Sequence, residues 1–231
     1  MVNVSGPAKQ RLLYLMRLLE KNGPGPVTSA EIEALTGWAS HTIRKDISFL
    51  GGEGALGSSA GYDPAALAGA IKNALGLGRR RLFCVVGLGR LGSAYLNFRD
   101  LGPEAGPGAV PETGPGTEPR REGAGFELAA GFDTNVNRVE ILKSPAPLYP
   151  AYKMGEVIRR FGIEIALLCV PPGAAQGAAE KLAAAGIRGI INFAPAPLKL
   201  GPEIAVRNVF LVDELRALAV QMEDTPSKGI D

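Results

Sequence analysis

Residues 82–92 read LFCVVGLGRLG, and this stretch decides the fold. Leu82-Phe83-Cys84-Val85-Val86 is short, β-branched and aromatic, with no polar interruption. Such a run predicts a central parallel strand buried on both faces. Ser93-Ala94-Tyr95-Leu96-Asn97-Phe98 then reads as helix. Gly87, Gly89 and Gly92 thus fall where a dinucleotide fingerprint needs strand, tight turn and helix start in succession. The first glycine permits the turn, the second admits a pyrophosphate to the backbone, and the third lets helix and strand pack closely. With this context, nucleotide binding is favoured over a merely structural glycine turn.

The bulk numbers set limits around that reading. The chain has 231 residues, 46% apolar and 21% charged, with a net charge of +2. It is long enough for one large domain or two small ones, and too near neutral for global attraction to nucleic acid or membrane. DNA binding would need a local patch. The start, MVNVSGPAKQ, has no signal-like apolar core, so the expectation is a soluble, cytoplasmic protein. Cys84 and Cys169 each lie in an apolar strand, which predicts buried thiols and not a disulfide, metal site or redox pair. His41 is the single histidine, far upstream of the glycines. Neither a Cys/His metal cluster nor a Ser-His-Asp arrangement can be built around the loop.

Upstream, residues 8–21 (AKQRLLYLMRLLEK) carry a broad apolar helical face with Arg11 and Arg17 as charged exceptions. Thr28-Ser29-Ala30-Glu31 is a capping-box signature opening a short helix with Ile32 and Leu35. After the turn Thr36-Gly37-Trp38-Ala39, Ser40 is expected to cap a third helix over residues 41–50 with Ile43, Ile47 and Leu50 inward. The spacing suggests a helix-turn-helix. Ser40, His41, Thr42, Arg44 and Lys45 are its outward residues, suited to base edges and phosphates. On these residues alone, a three-helix module with a solvated Arg-Lys pair is equally supported. Residues 51–62 read as a hairpin wing, and Asp63-Pro64 opens a helix to about Leu77.

Downstream, residues 102–125 are half Gly or Pro, 12 of 24, and predict a mobile loop or disordered insertion. Strand character resumes at Phe126 and ends at Asp133, 41 residues past Gly92. In a dinucleotide fold this acid takes the adenine-ribose hydroxyls, about 20 residues past the glycines. The insertion accounts for the excess, and the acid favours NAD(H) over NADP(H). Helices at 154–161, 173–185 and 211–222 alternate with strands at 163–170, 187–193 and 203–209, which predicts a doubly wound parallel sheet. Pro171-Pro172 and Asn192 follow strand ends, where such sheets bind ligands. Asn192 either reaches a cofactor or caps a turn.

Several stretches together resemble the redox-sensing transcriptional repressor Rex family. They are Ile43-Arg44-Lys45-Asp46-Ile47-Ser48-Phe49, Gly61-Tyr62, the loop from Val86 to Gly92, Gly131-Phe132-Asp133, Ile163-Glu164-Ile165-Ala166, Val170-Pro171, Ala174-Ala175-Gln176, and residues 186–195, GIRGIINFAP. They span nearly the whole chain except the insertion. The resemblance implies a homodimer with a winged-helix domain (1–78), a Rossmann domain (79–209) and a C-terminal helix and tail (210–231) exchanged between subunits. It implies operator DNA, an inverted repeat, held by Ser40, His41, Thr42, Arg44, Lys45 and Ser48. It also implies NAD(H) as a sensed ligand, held by Gly87, Leu88, Gly89, Arg90, Leu91, Gly92, Asp133, Thr134, Val170, Pro171 and Asn192. A rise in NADH relative to NAD⁺ would release the DNA, with no hydride transfer, no metal and no membrane.

Three departures stand out. The wing Gly57-Ser58-Ser59-Ala60-Gly61-Tyr62 lacks the basic residue usual in the family, and Glu53 adds negative charge. Arg17, Phe98 and Phe210 occupy the switch positions, the phenylalanines standing where the family often has tyrosine and aspartate. Asn135 replaces a second acid after Asp133. Two alternatives remain at this stage. One is a divergent paralogue that binds NAD(H) without specific operator binding. The other is an NAD-dependent oxidoreductase, which the lack of a plausible acid/base near the strand ends disfavours.

Overall fold

The computed structural model describes residues 5–21, 25–50, 57–58, 60–97 and 125–224. The chain divides into two compact units between Arg79 and Arg80. The first contains α1 (Gly6–Lys21), α2 (Ser29–Thr36), α3 (Ser40–Ser48), an antiparallel pair β1 (Gly57–Ser58) and β2 (Gly61–Tyr62), and α4 (Pro64–Ala74). Its core is Leu12, Leu15, Leu19, Val27, Ile32, Ile43, Ile47, Leu67 and Ile71, one stripe from each helix plus Val27. Val27 and Tyr62 exchange two backbone hydrogen bonds of 2.8 Å, so the wing pair is stitched to the segment entering α2. This is a winged helix. The capping box at Thr28 forms in both directions, and Gly37 ends α2 at φ +72, where a left-handed residue favours glycine. The insertion, most of the wing loop and Glu53 lie outside the described residues.

The second unit is a six-stranded parallel sheet of order β5-β4-β3-β6-β7-β8. Its strands are β3 (Arg81–Val86), β4 (Phe126–Asp133), β5 (Leu148–Pro150), β6 (Ile165–Leu168), β7 (Gly189–Asn192) and β8 (Ala205–Asn208). The helices are α5 (Arg90–Leu96), α6 (Val136–Ile141), α7 (Met154–Phe161), α8 (Pro172–Ala185) and α9 (Leu211–Asp224). The strand order switches direction between β3 and β6, all strands staying parallel, which creates the crevice where such sheets take ligands. The expected α/β doubly wound architecture is what forms. Cys84, Val85 and Val86 are all buried on β3, as a central strand requires.

Several details differ from the sequence reading. α4 stops at Ala74, short of Leu77, because Gly76 turns the chain at φ +66. β8 is confined to Ala205–Asn208 and all four residues are exposed. α6 and β5 are additional elements. β5 is a three-residue edge strand ending in proline, which an edge tolerates because no ladder hydrogen bond is lost there.

Gly92 is the tightest point. A Cβ added there would overlap the Gly87 carbonyl oxygen and lie 2.9 Å from its carbon, and backbone cannot give way cheaply. Gly92→Ala is therefore expected to destabilise the sheet unit by at least about 2 kcal/mol, read as a lowered denaturation midpoint.

Candidate functional site

Gly87 carries the chain off β3 at φ +88, with its N–H donating to the Phe132 carbonyl at 2.8 Å. A Cβ at Gly87 would lie 2.5 Å from the Cys169 carbonyl oxygen, so the loop crosses hard against the end of β6. Leu88 is buried and its N–H donates to Asp133 Oδ2 at 2.7 Å. Gly89 is different: nothing lies within 4 Å of the place a Cβ would take. It precedes α5, and no side chain caps that helix. Open space over Gly89 beside uncapped N–H groups is the cradle a pyrophosphate needs. Arg90 and Leu91 follow, both exposed. Half-buried Val170 and exposed Pro171 face the loop's neighbourhood from the end of β6, where Cys169 N–H donates to the Val86 carbonyl at 2.8 Å.

Two expected ligands make hydrogen bonds within the protein. Asp133 ends β4 as expected, yet its carboxylate is turned inward. Oδ2 accepts from Leu88 N–H and from Arg138 Nη1 at 3.4 Å, and Oδ1 accepts from Asn135 N–H at 2.7 Å. A buried carboxylate must find such donors, so it secures the loop to β4 and leaves Thr134 and Asn135 as the first exposed groups there. Asn192 is fully buried. Its Nδ2 donates to the Ala196 carbonyl and to Asn208 Oδ1, each at 2.9 Å, and its Oδ1 accepts from Ala194 N–H at 3.1 Å. With both donors engaged, Asn192 ties β7 to β8 and caps a turn, the second of its two expected roles. Burial pushes the Cys84 thiol well up and that of Cys169 to about 12, so both stay protonated at neutral pH.

In the helical unit, His41, Arg44 and Lys45 are exposed along α3, and Thr42 is half-buried. Ser48 Oγ donates to the Lys45 carbonyl at 2.7 Å. Ser40 is corrected. Ala39 is the N-cap and Ser40 the first helical residue; its N–H donates to Glu33 Oε2 at 3.0 Å and its hydroxyl also engages Glu33. Glu33 therefore caps α3 from α2, seven residues away, a pairing no local capping pattern encodes. The Ser40 bonds, with His41 and Arg44 nearby, hold Glu33 below the usual carboxylate range. A depressed pKa means that this anchor is intact at neutral pH and is lost as pH falls through the folded-state value.

A second anchor was also hidden in the sequence. Arg11, apparently an exception on the inner face of α1, donates from Nε and Nη2 to Asp46 at 2.6 and 2.9 Å. Asp46, beside Arg44 and Lys45, is only 5% exposed, and this bidentate pair bolts α1 to α3. Of the switch positions, Arg17 is exposed and Phe98 lies outside the described residues. Phe210 is half-buried, and its carbonyl accepts from Asp213 and Glu214 N–H at the start of α9.

Comparison with known proteins covers both units. The CoA binding domain family matches residues 119–196. The redox-sensing transcriptional repressor Rex of Thermus thermophilus is 34% identical over 226 residues, 94% of this chain and 93% of its own. The protein of that name from Listeria monocytogenes is 27% identical over 223 residues, 96% and 94% of the two chains. Among solved structures, a Rex-family repressor, RSP, in complex with beta-NAD+ and operator DNA superposes with a TM-score of 0.77 at 27% identity, covering 97% of this chain and 94% of its own. RSP in complex with beta-NADH gives 0.76 at 26% identity, covering 97% and 96%.

Removing one member of a buried pair leaves the other without a partner. Asp46→Ala should therefore cost about 2–4 kcal/mol in unfolding free energy, measured by urea denaturation of the full chain.

Proposed function

The chain belongs to the Rex family of redox-sensing transcriptional repressors, and on that premise we propose that it holds an inverted-repeat operator as a homodimer and lets go when NADH rises relative to NAD⁺. The observation that carries this is the presence, in one chain, of a recognition helix with outward cations and a glycine cradle open at Gly89. His41, Thr42, Arg44 and Lys45 contact the DNA, the two long cations on phosphate and base edges. Ser40 and Ser48 act by holding α3 in shape, since their hydroxyls are already engaged within the protein.

NAD(H) lies along Gly87, Leu88, Gly89, Arg90, Leu91 and Gly92 and against Thr134, Val170 and Pro171, with Asp133 bracing the loop from behind. It is sensed and not turned over. The residues beyond β6 and β7 are Cys169, Val170, Pro171, Phe193, Ala194 and Pro195, and the one titratable group among them, the Cys169 thiol, is kept protonated by burial. No described helix is long and apolar enough to cross a membrane; the site of action is the cytoplasm.

The dimer contact is α9. Leu211, Leu215, Leu218 and Met222 recur at spacings of four, three and four residues and are each more than half exposed. Among the described residues nothing covers that stripe, which suits exchange with a second copy. Arg17 and Phe210 take part in the switch, and Phe98 with them.

DNA affinity tests the reading. By fluorescence anisotropy, the full chain should prefer an inverted-repeat duplex to a scrambled one, and the affinity should fall with added salt. Lys45→Ala should weaken binding by at least about tenfold and flatten the salt slope by about two units, one from each subunit. Equal affinity for both duplexes would favour the paralogue that keeps the nucleotide and has lost its operator, a reading motivated by the wing's lack of a cation.

A further inference from the structure

The end of β4 carries a charge pattern at odds with strict preference for a nucleotide whose ribose is unphosphorylated. Discrimination against a 2′-phosphate needs a carboxylate laid open to the ribose and negative charge left uncompensated. Here the Asp133 side chain is 4% exposed, and both oxygens are committed to Leu88, Asn135 and Arg138. Its charge is offset by two backbone N–H donors and one guanidinium. Thr134, Asn135, Val136, Asn137 and Arg138, the exposed residues that follow, include no acid. Glu140 is the next one, and two residues along a helix is about 200° of rotation, the opposite side of α6 from Arg138.

Arg138 is placed for a second task. Its side chain is 51% exposed while Nη1 reaches Asp133 Oδ2, so the fork is steered toward the ribose end and still reaches solvent. A guanidinium is the side chain best matched to a phosphate, with several donors in one plane and a charge that persists at every physiological pH. Asn135, which caps α6 through its Oδ1 and Asn137 N–H at 3.0 Å, contributes an amide where a second carboxylate would repel the phosphate.

We infer that the adenine-ribose end of this site accepts a 2′-phosphate on Arg138, so that the chain takes NADPH as well as NADH. This rests on the dinucleotide reading of the glycine loop. It makes Arg138 and Asn135 the residues that set nucleotide preference, and a sensor of this kind reports the phosphorylated nicotinamide pool together with the unphosphorylated one.

Calorimetric titration of the full chain with NADH and with NADPH tests the inference, in the natural protein and in Arg138→Ala and Asn135→Asp. The natural chain should bind NADPH within about tenfold of NADH, since one charge-assisted contact replaces a repulsion. Each substitution should widen the NADPH-to-NADH ratio of dissociation constants by about tenfold or more. Asn135→Asp keeps a side chain able to cap α6, so it separates charge from folding. A natural chain that binds NADH while NADPH is more than about a hundredfold weaker overturns the inference, as does an unchanged ratio in both variants. Binding of neither nucleotide removes the dinucleotide reading itself, and the inference with it.

Discussion

The sheet unit depends on how closely α5 can approach the strand it leaves. Gly92 sits against the Gly87 carbonyl with no room for a Cβ, and Gly87 sits against the Cys169 carbonyl. These two contacts fix the path of the loop, and the path leaves the space above Gly89 open. A turn any looser would lift the helix N-terminus away from the crevice between β3 and β6. Asp133 completes the frame from the far side, accepting from Leu88 N–H so that the loop and the end of β4 move as one piece. A ligand on that loop is thereby in mechanical contact with the end of β4.

The third helix of the first unit is held by a comparable device, carboxylates bonded across from one element to another. Glu33 takes the first N–H of α3, and Asp46 receives a bidentate arginine from α1. Asp46 is buried beside exposed Arg44 and Lys45, while exposed Glu33 sits at the start of the same helix. The result is an α3 whose outward face is cationic while its position is set by anions. Exposed cations and a buried carboxylate thus lie side by side along one nine-residue helix.

Much of this was legible locally. Strand, glycine turn and helix follow from residues 82–98 alone, and the capping box at Thr28 and the left-handed Gly37 are short-range signals that the fold obeys. The polar contacts that the sequence did not show join side chains to partners distant in sequence. Asn192 finds Asn208, Asp133 finds Leu88, and Arg11 finds Asp46 across 35 residues. Periodicity says which face of an element is apolar; it does not say which polar group will be carried inside by a pair. β5 escaped for another reason, since three residues ending in proline give no alternation to read.

What joins the two units functionally is the claim that nucleotide at Gly89 governs DNA at Lys45. Allostery in this sense requires NADH to bind the DNA-free arrangement better than the DNA-bound one. The direct measurement is fluorescence anisotropy of a labelled inverted-repeat duplex already saturated with the full-length protein, titrated with NADH and separately with NAD⁺. The account predicts that NADH returns the signal to that of free duplex while NAD⁺ leaves the complex in place. A complex that persists at NADH concentrations shown by calorimetry to saturate the protein would contradict it.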